Sequence, residues 1–399
     1  MNLFSGEPID FKNVIDKQIE KLSKDKIDEK YIKGEVRIVT EQARYPLNTI
    51  PSLLESGNYE LNPDFQRRHR WNIEKKSKLI ESFIMNVPLP PIFLYEAKFS
   101  FYEVMDGLQR LTAIQQFYNN EYTLQGLEEW KELNGFKYSE LPEQVRRGID
   151  RRYLSSIILL QETAKNEDEA LRLKQLVFER INSGGVTLEP QETRNALYDG
   201  RLNRLCIKLA RNKYLCEMWG IPEPDESEKL QGTISEELIE NEVFRKMEDV
   251  ELVLRFFAFR QIERYETSSL KQFLDIYLQK GNVFDNNLLS RLEDMFNSTI
   301  KLVYDIYGER AFYLWRRRNG KWNWYSRPTK VLFDPMMAVF SQRLDKSKEL
   351  VTQKAAINKE IKNFYKVNYN EFEGRNTNRH NIIRRTSLLG EFIDGFLED

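Results

Sequence analysis

The sequence predicts an α+β protein in which a mixed α/β domain at residues 36–165 is followed by an all-α helical domain at residues 166–399. Residues 1–35, dense in charge with isolated apolar positions, are expected to form a helical lead-in. Up to residue 160, short β-branched and aromatic runs alternate with helical periods. After Lys165 the apolar residues follow long helical periods with almost no strand signal. A chain of 399 residues has room for two or three domains.

The elements of the first domain follow from local patterns. The clearest is a helix whose apolar residues recur at helical spacing until the prolines at positions 88, 90 and 91 end it. The predicted elements are a strand at 36–40, helices at 47–54 and 73–87, a hairpin formed by 92–95 and 101–105, a helix starting at 106–107 and a buried strand at 155–160. The long helical periods of the second domain are 170–181, 243–259, 288–307 and 382–396.

Composition limits the class of protein. Charged residues make up 31%, hydrophobic residues 41% and aromatic residues 12% of the chain, which indicates a soluble globular protein rather than a disordered one. No apolar stretch reaches the roughly 18 residues that span a bilayer. The chain also does not open with a basic segment followed by an apolar one. We therefore expect a cytoplasmic protein without membrane contact.

The rarest residue types exclude several kinds of site. The chain has two cysteines, Cys206 and Cys216, and two histidines, His69 and His380. These numbers exclude a disulfide framework, a cysteine-based zinc site and a histidine cluster around a metal. The net charge of −1 does not attract nucleic acid to the chain as a whole, so a DNA contact must come from a local basic patch.

The first candidate site is a basic segment directly before the helix at 73–87. It reads Phe65-Gln66-Arg67-Arg68-His69-Arg70-Trp71. Arginine side chains match phosphate geometry with two parallel charge-assisted hydrogen bonds. A phosphate contact is one interpretation, and a solvated basic loop anchored by Trp71 is the other.

The second candidate site is a strand that passes through a tight turn into a helix, with the sequence Asp106-Gly107-Leu108-Gln109-Arg110. The unpaired N–H groups of a helix N-terminus attract anions, and glycine there lets a phosphate approach the backbone. Arg110 is placed to clamp that phosphate, and Gln109 lies opposite the apolar stripe. Asp106 suits a divalent cation or an oriented water. A simple connecting turn is the alternative.

The third candidate site is a loop that reads Arg180-Ile181-Asn182-Ser183-Gly184-Gly185. Its backbone fits the end of one helix, with the next helix beginning at Glu189 and Pro190. We expect Arg180, Asn182 and Arg194 to converge on this loop. The pair of glycines also permits a ligand to approach the backbone.

Together the three motifs resemble the N-terminal domain family of GmrSD-type restriction endonucleases, which is similar to the ParB/sulfiredoxin fold. The resemblance extends over about residues 45–260 and includes a matching helix at 247–256. It implies a ParB/sulfiredoxin-like domain that binds, and hydrolyses, a nucleotide in prokaryotic defence against foreign or modified DNA. For a nucleoside triphosphate we expect Mg²⁺ as well, because a divalent cation offsets the charge of the phosphates. The second motif of the family usually reads Asp-Gly-Gln-Gln-Arg. Here Leu108 replaces the first Gln, and His69 also departs from the usual pattern, which leaves catalytic turnover open.

The matching positions define the predicted site residues. Asp106, Gln109 and Arg110 are the predicted catalytic residues, and Asp106 is also the predicted metal ligand. The predicted nucleotide-binding residues are Gln66, Arg67, Gly107, Arg110, Arg180, Asn182, Gly184 and Gly185. Many members of the family carry a nuclease motif with histidine, whereas His380 stands alone here. We therefore expect any DNA cleavage to come from a nuclease partner or from a different kind of site.

A fourth segment, residues 315–330, has six basic residues, no acidic residue and four large aromatic residues. Basic residues neutralise phosphates, and exposed aromatic rings stack on unpaired bases. The predicted nucleic-acid-binding residues are Arg316, Arg317, Arg318, Lys321, Trp322 and Trp324. The alternative, of about equal weight, is a hairpin whose tryptophans pack on the helices and whose arginines meet the acidic stretch at 223–242.

The preferred function is a nucleotide-binding and nucleotide-hydrolysing defence protein that engages DNA. One rival is a non-catalytic DNA-binding or assembly protein that uses the nucleotide as a switch. The other is a metal-dependent nuclease at Asp106 and Glu103. Strand alternation argues against the nuclease, because residues 103 and 106 are expected on opposite faces of their strand. A homo-oligomer is compatible with all three.

Overall fold

The computed structural model describes residues 3–11, 23–32, 38–61, 68, 71–160, 167–182, 189–226, 228, 234–265, 269–373 and 378–397. The chain divides into two compact units. Ile19–Leu188 form the first, here called the sheet unit. Met1–Gln18 and Glu189–Asp399 together form the second, the helical unit. These boundaries differ from the predicted ones after residues 35 and 165.

The second boundary moves because the helix Glu167–Asn182 packs on the sheet. Lys174 of this helix forms an ion pair with Glu103, and only 11% and 27% of the two side chains are exposed. The pairing partner lies 71 residues earlier in the chain, so the helical period alone does not reveal it.

The first boundary moves because the N-terminal residues pack against the distant helices. Glu7 is fully buried, and its carboxylate accepts hydrogen bonds from Arg260 at 2.5 and 2.8 Å. Residues 3–11 contain a turn at Ser5 and Gly6 and no helix, while Lys24–Ile32 is helical. The prediction of a helical lead-in is therefore wrong for residues 3–11.

The sheet unit contains a mixed five-stranded sheet. In chain order its elements are α1 (Lys24–Ile32), β1 (Thr40–Pro46), α2 (Ile50–Glu55), β2 (Tyr59–Glu60), α3 (Ile73–Ile84), β3 (Ile92–Lys98), β4 (Phe101–Asp106), α4 (Leu108–Tyr118), α5 (Glu143–Asp150), β5 (Tyr153–Leu159) and α6 (Glu167–Asn182). The strand order is β1-β5-β3-β4-β2, with β3 antiparallel to β4 and parallel to β5. The mixed α/β character predicted for this part of the chain is confirmed.

The core of the sheet unit lies between one face of the sheet and the helices α2 to α5. Ile80, Ile114 and Phe117 are fully buried there, because their helical spacing aligns them on the stripe that faces the sheet. Leu108 is 8% exposed, so the leucine that departs from the family pattern faces the interior as expected. This packing fixes the start of α4 directly at the end of β4.

The helical unit consists mainly of helices. They are α7 (Pro190–Leu197), α8 (Arg201–Leu209), α9 (Lys213–Trp219), α10 (Glu236–Glu240), α11 (Glu242–Arg245), α12 (Glu248–Phe259), α13 (Leu270–Gly281), α14 (Asn286–Tyr307), α15 (Lys330–Ser341), α16 (Ser347–Thr352), α17 (Lys354–Val367), α18 (Tyr369–Phe372) and α19 (Arg379–Asp394). The predicted helical character is confirmed, but the prediction of an all-α domain is wrong in one segment. No helix within the described ranges is long and apolar enough to cross a membrane.

The segment that departs from the predicted all-α domain is an antiparallel hairpin of β6 (Trp315–Arg318) and β7 (Lys321–Trp324). The turn between the strands is Asn319-Gly320, with φ of +51° and +77°. Two consecutive residues with positive φ make the tight turn whose twist matches paired strands, and Asn-Gly is the favoured pair for it. The hairpin therefore follows from a local turn signal inside a helical domain.

Candidate functional site

The junction between β4 and α4 depends on Gly107. Its φ of +97° lies in the left-handed region, which glycine adopts without strain. A Cβ at this position would lie 2.2 Å from Cγ2 of Ile92 in β3, closer than two such atoms can approach. The turn and the packing both require glycine, so its presence has a structural reason in addition to the predicted phosphate approach.

Arg110 ties the start of α4 to the segment that leads into β3. Its Nη2 donates to Asp106 Oδ2 at 2.9 Å and to the carbonyl of Pro91 at 3.3 Å, and its Nη1 donates to the carbonyl of Pro90. Burial lowers the pKa of Arg110, while the carboxylate of Asp106 opposes this shift. The guanidinium group is thus a brace of the turn as well as a candidate phosphate ligand.

Part of this arrangement is open to a ligand. The Asp106 side chain is 42% exposed. Within the described parts of the chain, neither Asp106 Oδ1 nor Arg110 Nε has a hydrogen-bond partner. Gly107 precedes the helix and provides no capping side chain, so among the described residues the first N–H groups of α4 have no side-chain cap. One turn therefore presents a carboxylate oxygen, a guanidinium N–H and helix-start N–H groups together.

Gln109 connects the first and second motifs. Its Oε1 accepts a hydrogen bond from the backbone N of Trp71 at 3.2 Å. Trp71 is the last residue of the basic segment, and Asn72 after it caps α3 by accepting from the N of Lys75 at 2.9 Å. The end of the first motif is therefore a direct neighbour of the second.

The remaining residues of the basic segment are only partly within the described ranges. Gln66, Arg67 and His69 lie outside them, so the nucleotide-binding roles of Gln66 and Arg67 remain predictions. Arg68 is described and is buried, with 3% of its surface exposed.

Glu103 and Asp106 lie on the same face of the sheet, which corrects the expectation from strand alternation. Across the β3–β4 ladder, Glu103 pairs with Tyr95 and Asp106 pairs with Phe93. Tyr95 and Phe93 are two residues apart in β3 and so point to one face. The ladder advances two residues in β4 for one in β3 at this point, which makes Met105 a bulge that shifts the alternation.

Lys174 is the site residue that the sequence did not indicate. It forms the ion pair with Glu103, and its Nζ lies 5.4 Å from the ring centre of Tyr95. Nothing in the local pattern of α6 distinguishes this lysine. Its partner Glu103 lies 71 residues earlier in the chain and is brought to it only by the fold. In the described part of the chain, no three His, Cys, Asp or Glu side chains are grouped to hold a metal ion.

A buried ion-pair network in the helical unit accounts for Arg194. Its Nε donates to Asp275 Oδ1 at 2.6 Å, and its Nη1 lies 3.2 Å from Glu251 Oε2. Glu251 also lies 3.1 Å from Lys330 and 3.6 Å from Arg255. Burial raises the pKa of Glu251, but these three cations outweigh it and lower the pKa to about 2.

The third motif is only partly described. Arg180 lies in the last turn of α6 and is exposed, and Asn182 is the final residue of that helix. Gly184 and Gly185 lie outside the described residues, so their roles remain predictions. The Arg194 side chain is 2% exposed and is engaged within the helical unit, and its convergence with Arg180 and Asn182 stays a prediction.

The tryptophans of the β6–β7 hairpin are half-buried against neighbouring rings. The ring centres of Trp315 and Trp324 are 5.2 Å apart at 67°, and Trp322 meets Tyr369 of α18 edge-on at 5.4 Å. The packing part of the alternative interpretation is therefore confirmed. Its charge part is not confirmed for Arg316, Arg317 and Arg318, which form no ion pair among the described residues. Arg327 does meet the acidic stretch, because its charge adds to that of Lys246 in lowering the pKa of Glu242.

The sheet unit is thus an α/β domain whose candidate site is an Asp–Arg pair at a strand-to-helix turn. Residues 50–198 match the family model of the GmrSD restriction endonuclease, N-terminal domain. The match confirms, over these residues, the resemblance seen in the motifs. It does not extend to the helix at 247–256. No curated protein matches the chain, and no solved structure matches it.

Proposed function

We propose that this chain is a restriction-type defence protein that acts on DNA, and that its sheet unit is a ParB/sulfiredoxin-like domain that binds and hydrolyses a nucleoside triphosphate. The family name of the matched domain supports the DNA-directed role. The observation that carries the nucleotide site is the β4–α4 turn, where Asp106 Oδ1 and Arg110 Nε face no protein partner in the described residues.

The turn offers the groups that a phosphate chain requires. The first N–H groups of α4 carry the positive end of the helix dipole and, among the described residues, have no side-chain cap. Arg110 adds a fixed positive charge, held in orientation by Pro90 and Pro91. Arg67, Gln66 and the loop with Gly184 are the further phosphate ligands we propose.

Asp106 is the proposed ligand of Mg²⁺. Magnesium in nucleotide sites uses one or two carboxylates together with phosphate oxygens and water, so a single carboxylate at the turn is sufficient. The ion offsets the charge of the triphosphate. The bond from Arg110 to Oδ2 fixes the carboxylate and leaves Oδ1 without a hydrogen-bond partner among the described residues.

Gln109 is the proposed orienting residue for the attacked phosphate. Its Oε1 is held by the backbone of Trp71, which leaves its amide N–H₂ group to donate. The proposed division of roles assigns phosphate binding to Arg110, metal binding to Asp106 and orientation to Gln109. DNA cleavage is then the task of a nuclease partner.

A thermal-shift panel tests the proposal. The four ribonucleoside triphosphates, each with and without Mg²⁺, are added to the full chain and to Arg110→Gln. We expect at least one triphosphate with Mg²⁺ to raise the melting temperature of the parent and not that of the variant. Release of inorganic phosphate then separates hydrolysis from the rival in which the nucleotide only switches conformation.

A metal-dependent nuclease is the second candidate, and one observation favours it. Glu103 and Asp106 share a face of the sheet, and Lys174 of α6 forms an ion pair with Glu103. Two carboxylates and a lysine can hold a cation and position a water for phosphodiester cleavage. Cleavage of plasmid DNA with Mg²⁺ but without nucleotide, lost in Glu103→Gln, would favour this candidate over nucleotide hydrolysis.

A further inference from the structure

The β6–β7 hairpin has two chemically different faces. Cross-strand partners share a face, so Trp315 with Trp324 and Arg317 with Trp322 lie on one side. This side faces α17 and α18, and the hydroxyl of Tyr369 donates to the carbonyl of Arg317 at 3.4 Å. Arg316 and Arg318 alternate to the other side of the ribbon.

Two lysines of α17 cover the tryptophan rings. Lys362 Nζ lies 4.8 Å from the ring centre of Trp315 and 5.8 Å from that of Trp324. Lys366 Nζ lies 5.9 Å from the ring centre of Trp322. Their spacing of four residues places both lysines on one side of the helix. Each tryptophan ring therefore already has a lysine ammonium near one face, and a nucleic-acid base would compete with that lysine for it.

The tip and both sides of the hairpin, together with these lysines, carry unpaired positive charge, and this surface is here called the basic face. It consists of Arg316, Arg317, Arg318, Lys321, Lys362 and Lys366. In the described part of the chain none of the six forms an ion pair, whereas the nearby Lys330 is engaged by Glu248 and Glu251 at 3.3 and 3.1 Å. One carboxylate, Glu373, lies close by and raises the pKa of Tyr369.

We propose that the basic face binds duplex DNA through its phosphates, with the tip of the hairpin directed into a groove. Only the choice of DNA as the ligand rests on the proposed function. A two-stranded ribbon, with strands about 4.8 Å apart, fits the major groove, which is about 12 Å wide. The tight Asn319-Gly320 turn keeps the tip narrow, and Arg318 and Lys321 flank it, exposed.

The covered rings distinguish duplex from single-stranded binding. Single-stranded DNA is held largely by bases stacked on exposed aromatic rings. Stacking on the ring face of Trp322 or Trp315 that carries a lysine would require Lys366 or Lys362 to move away. Phosphates of a duplex instead meet the lysines and arginines as they stand, so the basic face favours the duplex.

The test is binding of a fluorescein-labelled duplex of about 20 base pairs, followed by anisotropy over a salt series without nucleotide or Mg²⁺. In duplex DNA each neutralised phosphate contributes about 0.9 to the slope of log K against log salt. We expect R316Q/R317Q/R318Q to flatten the slope by about two to three units. The matched control, R201Q/K213Q/K348Q, removes three exposed charges elsewhere in the helical unit and is expected to keep the parental slope.

A second variant tests the lysines of α17 independently. K362Q/K366Q is expected to flatten the slope by about one to two units, with a melting temperature close to that of the parent. A parental slope in both variants, or a parent that does not bind the duplex, would overturn the proposal. Tighter binding of the corresponding single strand, with quenching of tryptophan fluorescence, would overturn the assignment to duplex DNA.

The outcome is separable from that of the nucleotide site. The hairpin variants leave the β4–α4 turn unchanged and are expected to respond to triphosphates as the parent does. Arg110→Gln is expected to bind duplex with the parental slope in the absence of nucleotide. Loss of duplex binding in R316Q/R317Q/R318Q is therefore informative even if no triphosphate binds the sheet unit.

Discussion

Arg110 Nη2 lies 2.9 Å from Asp106 Oδ2, across the first turn of the helix that begins between them. The pair gives the turn two properties at once. It fixes a carboxylate and a guanidinium in one orientation, and through the carbonyls of Pro90 and Pro91 it joins the helix start to β3. Preorganisation of this kind favours ligand binding, because the groups are ordered before the ligand arrives.

Gly107→Ala is expected to lower the free energy of unfolding by about 2–5 kcal/mol. A non-glycine residue at positive φ loses about 1–2 kcal/mol, and forced overpacking adds about 1–3 kcal/mol. The overpacking arises at Ile92, 2.2 Å from the added Cβ. Gly57→Ala is the control, since Gly57 has φ of +77° with no atom within 4 Å. Urea titration is expected to show the smaller loss in the control, and equal losses would mean that Ile92 moves aside.

Glu81→Gln is expected to destabilise the sheet unit by about 2 kcal/mol or more. Its Oε1 accepts from the backbone N of Glu128, Glu129 and Trp130 at 3.0, 2.8 and 2.9 Å. Each hydrogen bond to a charged group contributes about 1.5–3 kcal/mol. Glu128→Gln is the control, because it removes only a surface ion pair with Lys78 and should change stability little. A loss in Glu81→Gln no larger than in this control would contradict the assignment.

Glu7→Gln is expected to destabilise the helical unit by about 3 kcal/mol, because it leaves the buried Arg260 without its charged partner. The change lies within the first residues of the chain, yet its effect should appear in the unfolding of the helices. Asp25→Asn, in the exposed helix Lys24–Ile32, is the control. If both variants unfold like the parent, residues 3–11 do not form part of the helical unit.

Stability at acid pH is expected to depend on Glu251. Its pKa is lowered from 4.5 to about 2, so the stabilisation is complete above about pH 4.5 and is lost as pH falls towards 2. The shift corresponds to about 3 kcal/mol. The difference in unfolding free energy between the parent and Glu251→Gln should therefore shrink over this range. A difference that stays constant from pH 5 to pH 2.5 would show that the pKa is not lowered.

Local signals explain which elements were predictable. Helix Ile73–Ile84 follows from apolar spacing and the prolines after it, and the β3–β4 hairpin from two short aromatic runs. The Asp106-Gly107 turn was recognisable because its motif is contiguous. These features depend on residues close in sequence, where periodicity and turn chemistry carry the information.

Features set by distant contacts were not predictable. Glu7 meets Arg260 across 253 residues, and Lys174 meets Glu103 across 71. No local pattern marks either pair, so the unit boundaries and the lysine at the site were missed. The bulge at Met105 likewise appears only when the strands are paired, and it reverses the expected orientation of Glu103 relative to Asp106.

Isothermal titration of a nucleoside triphosphate with Mg²⁺ into the parent and Arg110→Gln tests the nucleotide site most directly. Arg147→Gln is the control, since Arg147 is 69% exposed and belongs to the same sheet unit. Melting of each protein first verifies that it is folded. We expect parental affinity in the control and a loss of about ten- to a hundredfold in Arg110→Gln, as the charged hydrogen bonds to phosphate disappear. Equal affinity in all three proteins, or no binding by the parent, would contradict a nucleotide site at Asp106 and Arg110.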